Sequence, residues 1–160
     1  MLRIGHGYDV HQFADERPLI LGGVTIEYPQ GLLGHSDADV VVHALIDALL
    51  GAMRNKSIGD LFPDTDPRYK NANSLELLAR VGKLMREKGI ALVDCDCTIV
   101  AQAPKLKDHF ADMRCNMAHA LQLSPEQVGV KATTTEGLGF EGKKEGIAAW
   151  AVVLLESTSE

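Results

Sequence analysis

The stretch Val40-Val41-Val42-His43-Ala44-Leu45-Ile46-Asp47-Ala48-Leu49-Leu50 decides how this chain is read. Apolar residues fall on nearly every side of a 3.6-residue turn, so the segment is a helix buried almost all round. Ser36 is a residue type that caps helices, and the pattern predicts a helix opened by Ser36 that runs to about Met53. His43 and Asp47 are the polar side chains inside it. A buried imidazole and a buried carboxylate each need a partner. Asp47, one turn after His43, is placed to hold that ring from behind.

Working outward, residues 2–12 alternate as a strand, and residues 19–28 read as a hairpin turning at Gly22-Gly23. A loop rich in Pro, Asp and Asn covers residues 56–73. Ser74 caps a second helix that carries Leu75, Leu78, Val81 and Met85 on one stripe and ends at Gly89. Residues 91–102 alternate as a strand stopped by Pro104, and residues 106–122 make a third helix. Ser124-Pro125-Glu126-Gln127 is a capping box with Pro at the first helical position. Residues 128–134 and 147–155 read as strands on either side of a glycine-rich loop at 137–146. The result is an α/β (α+β) chain, one domain over residues 1–160. Its mixed sheet has four to five strands, with helices packed on one face.

Composition narrows the function. The 160 residues are 46% hydrophobic, enough for a core without disulfides. Sixteen Lys and Arg against 22 Asp and Glu give a net charge of −6 with no long basic run, which excludes nucleic acid as a partner. An acidic protein that handles phosphates must supply positive charge locally, through metal ions or a few placed lysines. Cys95, Cys97 and Cys115 form neither a C-x-x-C pair nor an even set, so no disulfide framework or cysteine zinc site is expected. Cys95 and Cys97, two apart on a strand, point into one apolar face. No segment reads as a signal peptide or a membrane span, and the expectation is a cytoplasmic protein with no membrane contact.

Asp9-Val10-His11 lies on the first strand. Side chains two apart on a strand share a face and start about 6.6 Å apart, within reach of one ion. Val10 then faces the other way, toward the core. Asp9 and His11 with His43 from the buried helix make an Asp/His/His set with one position open, the pattern of a catalytic zinc. His6 falls on the opposite strand face from His11 and is left out. There is no Walker loop and no G-x-G-x-x-G after a strand. Phosphate would be held at His35-Ser36, where free N–H groups at a helix start favour an anion. Lys131-Ala132-Thr133-Thr134-Thr135-Glu136 adds three hydroxyls and a carboxylate. By strand alternation Thr134 and Glu136 share one face. A carboxylate beside phosphate makes sense with a divalent cation between them, so Glu136 is a magnesium candidate.

Several segments together resemble one family. They are Gly5-His6-Gly7-Tyr8-Asp9-Val10-His11, His35-Ser36-Asp37-Ala38-Asp39-Val40, Phe62-Pro63-Asp64-Thr65-Asp66-Pro67, Gln102-Ala103-Pro104-Lys105, Val130-Lys131-Ala132-Thr133-Thr134-Thr135-Glu136 with Gly139-Phe140, and Glu145-Gly146-Ile147-Ala148-Ala149. Their order and spacing resemble the 2-C-methyl-D-erythritol 2,4-cyclodiphosphate synthases from Arg3 to about Leu155. The resemblance implies that 4-diphosphocytidyl-2-C-methyl-D-erythritol 2-phosphate is converted to the cyclic diphosphate with release of CMP, in the non-mevalonate isoprenoid pathway. It implies zinc on Asp9, His11 and His43, magnesium or manganese near Glu136, and His35 and Thr134 as transition-state stabilisers. Ser36 adjoins His35 in that site. Ala101, Gln102, Ala103, Pro104, Lys105, Leu106 and Lys107, with Ala132 and Thr133, match the wall that reads cytosine, and Thr135 continues it. Phe62, Pro63, Asp64, Thr65 and Asp66 match the loop at the methylerythritol end, and Phe140 and Lys143 match substrate contacts. The family is a homotrimer with active sites between subunits and a central channel for isoprenoid diphosphates.

Two positions depart from the family. Lys56-Ser57-Ile58-Gly59 stands where the family has Gly-Asp-Ile-Gly, so Ser57 replaces an aspartate that contacts ribose, and Lys143 stands where arginine is frequent. Two other readings share the metal set. A zinc hydrolase of phosphate esters or nucleotides would release an acyclic phosphate. A non-catalytic trimer binding isoprenoid diphosphates would show no turnover.

Overall fold

The structure is a computed structural model and describes residues 1–158. β1 (Leu2–Ala14) alternates along its length, with the odd-numbered side chains turned toward the helices and the even-numbered ones toward solvent. β2 (Leu19–Leu21) and β3 (Val24–Ile26) form the hairpin around Gly22 and Gly23, both at positive φ. β4 (Gly31–Leu32) returns to pair with the end of β1. Then come α1 (Val40–Ala52), the one-turn α2 (Ile58–Leu61) and α3 (Ser74–Glu87). β5 (Ile90–Val100), α4 (Phe110–Leu121), β6 (Val128–Thr133), α5 (Gly139–Gly142) and β7 (Gly146–Ser157) complete the chain.

The five-stranded sheet has the order β4-β1-β7-β5-β6. β1 and β5 both run antiparallel to the central β7, and β6 runs parallel to β5, so the sheet is mixed as expected. α1 lies on the sheet over β1 and β7. Ten of its thirteen residues are buried. The three that are not, His43, Asp47 and Gly51, fall four apart and form one stripe. α3 packs beside α1 through Leu77, Leu78, Val81 and Met85, and α4 joins through Met113, Met117, Ala118 and Leu121. Leu75, placed by its spacing on the apolar stripe of α3, is only partly buried, and Leu77 takes its place. Cys95 and Cys97 are buried on one face of β5 as expected. Burial pushes the Cys95 thiol up to about 12 and the Cys97 thiol well above its ordinary value, which leaves neither a ready nucleophile.

The core lies wholly on the helix side of the sheet. Val10 does face away from Asp9 and His11, but into solvent rather than into the core. It shares that outer face with Ile4, Tyr8, Trp150 and Val152, all exposed. The third helix begins later than its pattern suggested. A 3-10 turn at Lys107–His109 precedes α4, and Gln122 ends it in the left-handed conformation.

Candidate active site

α1 approaches β1 as closely as backbone allows. A Cβ on Gly7 would collide with the Ala44 carbonyl oxygen, and one on Gly5 with that of Ala48. With both side chains absent, the helix lies against bare strand and brings His43 to face Asp9 and His11. The three ligand atoms converge. His11 Nε2 is 2.9 Å and His43 Nδ1 3.1 Å from Asp9 Oδ2, and the two nitrogens are 3.4 Å apart. The edge of a tetrahedron around zinc with bonds of ~2.0–2.1 Å measures about 3.3–3.4 Å. Three acceptor atoms this close, with one face open to a cavity, fit a divalent cation, and the donor set is one that zinc accepts.

The far side of each ring is also held. His11 Nδ1 donates to the Leu33 carbonyl at 2.8 Å. His43 Nε2 lies 2.8 Å from Ser74 Oγ and 3.2 Å from Ser36 Oγ. Burial would lift the Asp9 carboxyl, but its contacts with the His11 and His43 rings outweigh it and hold it at about 2. Burial likewise works against a charged His11, yet the Asp9 carboxylate beside it raises His11 above its ordinary value.

Asp47 does not back His43. Its carboxylate accepts from the Ile58 amide at 3.1 Å and anchors the start of α2. The stripe brings Asp47 to the right side of α1, but the free amide of a helix N-terminus is the partner it meets. Burial, as the largest cause, raises its carboxyl above the usual range. Ser36 does not cap α1 either. Asp39 is the cap, accepting from the Val42 amide at 3.2 Å, and Ser36 stays with the site. Asn73 rather than Ser74 caps α3, which frees the Ser74 hydroxyl for His43.

The remaining candidates fall into three groups. A cavity of about 330 Å³ beside the metal cluster is lined by His11, His35, Ser36, His43, Ile58, Gly59, Phe62 and Asp64, all expected. Tyr69, whose ring meets Phe62 edge-on, and Gly34 and Leu77 complete it and were not foreseen. Pro63, Thr65, Asp66 and Ser57 are not in its lining. Asp66 binds Arg68 through its carboxylate and accepts from His35 Nε2 through its carbonyl at 3.0 Å. Ser57 gives both its hydroxyl (2.9 Å) and its amide (3.3 Å) to Asp60, a local capping interaction.

A second cavity of about 430 Å³ is lined by Ala101, Gln102, Pro104, Lys105, Leu106, Lys107, Ala132, Thr133 and Thr134, with Phe110 as the addition. Ala103 is absent from the lining. Val100 and His11 pair with neighbouring residues of β7, Ala148 and Ile147, so both cavities lie at the same end of the sheet. They share no lining residue. A third space of about 580 Å³ takes Phe140 together with His11, Gln12, Lys144 and Glu145; Lys143 is exposed at the end of α5 and lies outside that lining.

Glu136 is displaced from the face it was given. β6 ends at Thr133, and Glu136 sits in the turn beyond it with φ of 53°, its amide bonded to Thr134 Oγ1 at 3.2 Å. Strand alternation therefore does not reach it. Gln102 ties this turn to the second cavity by accepting from the Gly137 amide at 3.1 Å. Arg17 is a further residue the sequence did not single out. It donates to the Leu32 carbonyl (2.7 Å) and the Ser36 carbonyl (2.9 Å), bracing the loop that holds His11 and presents His35.

A buried helix laid on a mixed sheet, with an Asp/His/His cluster where they touch that could hold a metal ion, defines an α+β protein with a candidate metal centre. The YgbB family profile matches residues 2–156, and the chain belongs to that family. The 2-C-methyl-D-erythritol 2,4-cyclodiphosphate synthase of Geobacillus kaustophilus is 60% identical over 158 residues, 99% of this chain and 100% of that protein. The synthase of the same name from Enterococcus faecalis is 55% identical over 156 residues, 98% of this chain and 99% of that one. Among solved structures, the bifunctional IspDF of Campylobacter jejuni superposes with a TM-score of 0.95 at 48% identity. That match covers 99% of this chain and 43% of the longer one. The CDP complex of Plasmodium falciparum IspF gives 0.86 at 34% identity, over 99% of this chain and 97% of that one.

Proposed function

We propose that the chain converts 4-diphosphocytidyl-2-C-methyl-D-erythritol 2-phosphate to 2-C-methyl-D-erythritol 2,4-cyclodiphosphate and CMP, as a cytoplasmic enzyme of the non-mevalonate isoprenoid pathway. The observation that carries this is the convergence of Asp9, His11 and His43 beside a cavity, in a chain that matches named synthases over nearly its full length. An oxygen of the 2-phosphate bonds to the β-phosphorus, and the bond from that phosphorus to the CMP oxygen breaks. The attacking oxygen is already anionic and the leaving group departs as a phosphate. No side chain has to take up a proton. What the protein supplies is alignment and charge neutralisation.

In this reading Asp9, His11 and His43 hold zinc, and Glu136 holds magnesium or manganese. When bound, the ions neutralise phosphate charge. His35 and Ser36 face the phosphates from the metal-side cavity. A carbonyl oxygen can only accept, so His35 Nε2 donates to Asp66 and the other ring nitrogen is left to the cavity that His35 lines. Ile58, Gly59 and the 62–66 loop close around the methylerythritol end. Gln102, Lys105 and Lys107 with Thr133 and Thr134 take the cytidine and its phosphates, and Thr134 steadies the transition state. The ribose finds no free hydroxyl at Ser57 unless Asp60 releases it. Two separate cavities suit a homotrimer in which one subunit's metal side meets a neighbour's nucleotide side. The exposed apolar face of β1 and β7 suits its interior, including an isoprenoid diphosphate held in the central channel.

Phosphorus NMR of the protein with zinc, magnesium and the diphosphocytidyl substrate tests the reading. CMP and a cyclic diphosphate should appear in equal amounts. An acyclic phosphate would establish a hydrolase, and binding without turnover a non-catalytic trimer.

A further inference from the structure

We propose that Asp37, acting through Ser74, is a positioning residue that fixes which nitrogen of His43 faces the metal. The proposal rests on the metal reading above. A carboxylate can only accept, so the Ser74 hydroxyl points its proton at Asp37. The lone pairs of Ser74 Oγ are then what faces His43 Nε2, 2.8 Å away. That nitrogen must carry the proton, and Nδ1 is left with a lone pair aimed at the point shared with Asp9 Oδ2 and His11 Nε2. Without Asp37 the serine could instead donate to Nε2. The proton would then sit on Nδ1, and the ring could not ligate.

The surroundings support a fixed direction. Ser74 is fully buried, so water cannot reset its hydroxyl. Asp37 is itself held by the Ser74 amide (2.9 Å) and the Asp39 amide (3.2 Å). Two backbone bonds, Asp37 N to Ala72 O and Asn71 N to His35 O, lock the two loops together. Ser36 Oγ, the other neighbour of Nε2, accepts from the Ala38 amide, and among the described residues no carboxylate orients it. A plainer role for Asp37 is to pin the start of α3 through the Ser74 amide. Ser74→Ala keeps that amide and cuts only the path to His43, so the two roles separate.

The experiment uses metal-stripped protein titrated with zinc alone against a chromophoric chelator, beside thermal melts of the metal-free protein. Losing a partner behind a ligating histidine weakens binding by about 10–100-fold, and Ser74→Ala should fall in that range with its metal-free melt unchanged. Ser74→Thr keeps the hydroxyl and should bind more tightly than Ser74→Ala, because the path to the ring survives. Asp37→Asn should also weaken binding, and the double variant should be no worse than Ser74→Ala, because both changes cut one path. Wild-type affinity in Ser74→Ala, or losses that add in full in the double variant, would overturn the proposal. Should Ser74→Ala fail to fold, wild-type affinity in Asp37→Asn does the same. A wild-type protein that binds no zinc would instead remove the metal reading, and this proposal with it.

Discussion

Asp39 is a carboxylate with no exposed surface, and it joins two elements by itself. Its oxygens accept from Gly22 (2.9 Å), Gly23 (2.7 Å) and Val42 (3.2 Å), tying the hairpin turn to the start of α1. Burial, with the nearby Asp37 charge second, raises its carboxyl from 3.8 to about 6 against the pull of these three donors. The sign follows from linkage. Below 3.8 the group is protonated in folded and unfolded chains alike; between 3.8 and about 6 the folded chain keeps a proton that the unfolded chain has lost. Asp39 therefore favours folding at low pH, and this contribution is lost as pH rises through about 6. The gap between 3.8 and about 6 corresponds to about 3 kcal/mol. Urea unfolding of the metal-free protein at several pH values between 4 and 7, compared with Asp39→Asn, isolates it. The difference in stability between the two should narrow as pH rises across that window. A difference that stays constant would show that Asp39 titrates at an ordinary value in the fold.

At the scale of elements, the pairing of α1 with β1 makes the candidate metal site, and Gly7 sets how close they come. An alanine there meets the Ala44 carbonyl, so α1 must retreat and carry His43 away from Asp9 and His11. Overpacking of this kind costs about 1–3 kcal/mol, and a ligand set tolerates only about 0.5 Å of misplacement. Gly7→Ala should lower both the melting temperature and the zinc affinity. Gly51 is the control: on the same stripe of α1 its Cβ would meet nothing, so Gly51→Ala should be neutral or stabilising by up to about 1 kcal/mol, with zinc affinity kept. Undiminished zinc binding in Gly7→Ala would separate the close approach from the site. These elements also show what the sequence could tell. An unbroken apolar helix and a D-x-H strand are local patterns, so α1, Asp9, His11 and His43 were legible. Ser74 and Asp37 are 37 residues apart and meet through loops with no periodicity, so their pairing was not. The run His35-Ser36-Asp37-Ala38-Asp39 offers three capping side chains, and tertiary contacts with Gly22 and Gly23 select the last. Glu136 was misplaced because alternation was carried past the end of β6.

The whole molecule has one finished face and one unfinished face. Helices cover one side of the sheet. The other side exposes Leu2, Ile4, Tyr8 and Val10 from β1 beside Trp150 and Val152 from β7. Register makes these neighbours, since Tyr8 pairs with Trp150 and His6 with Val152, and the Trp150 ring packs at a tilt against both Tyr8 and His6. Aromatic side chains of this size cover ~150–250 Å² each when buried, so the patch is large for a surface left in water. The ion pair of Asp96 with Lys131 borders the patch beside Val152, so a covering partner is apolar over the patch and polar at that edge. Three copies meeting through this face would bury it around a shared axis, in keeping with the trimer proposed above. Val152→Glu tests this without touching the core, because the side chain points outward from the sheet. A monomer tolerates the change, whereas an assembly must bury an unpaired carboxylate at each copy, at several kcal/mol apiece. Sedimentation equilibrium should show the wild type at the mass of three chains and the variant dissociating toward one. The variant should keep its zinc, since Asp9, His11 and His43 come from one chain, and lose turnover, since the two cavities would no longer be brought together from different subunits. A variant that stays trimeric would place the interface elsewhere, and a fully active monomer would show that each chain completes its own site.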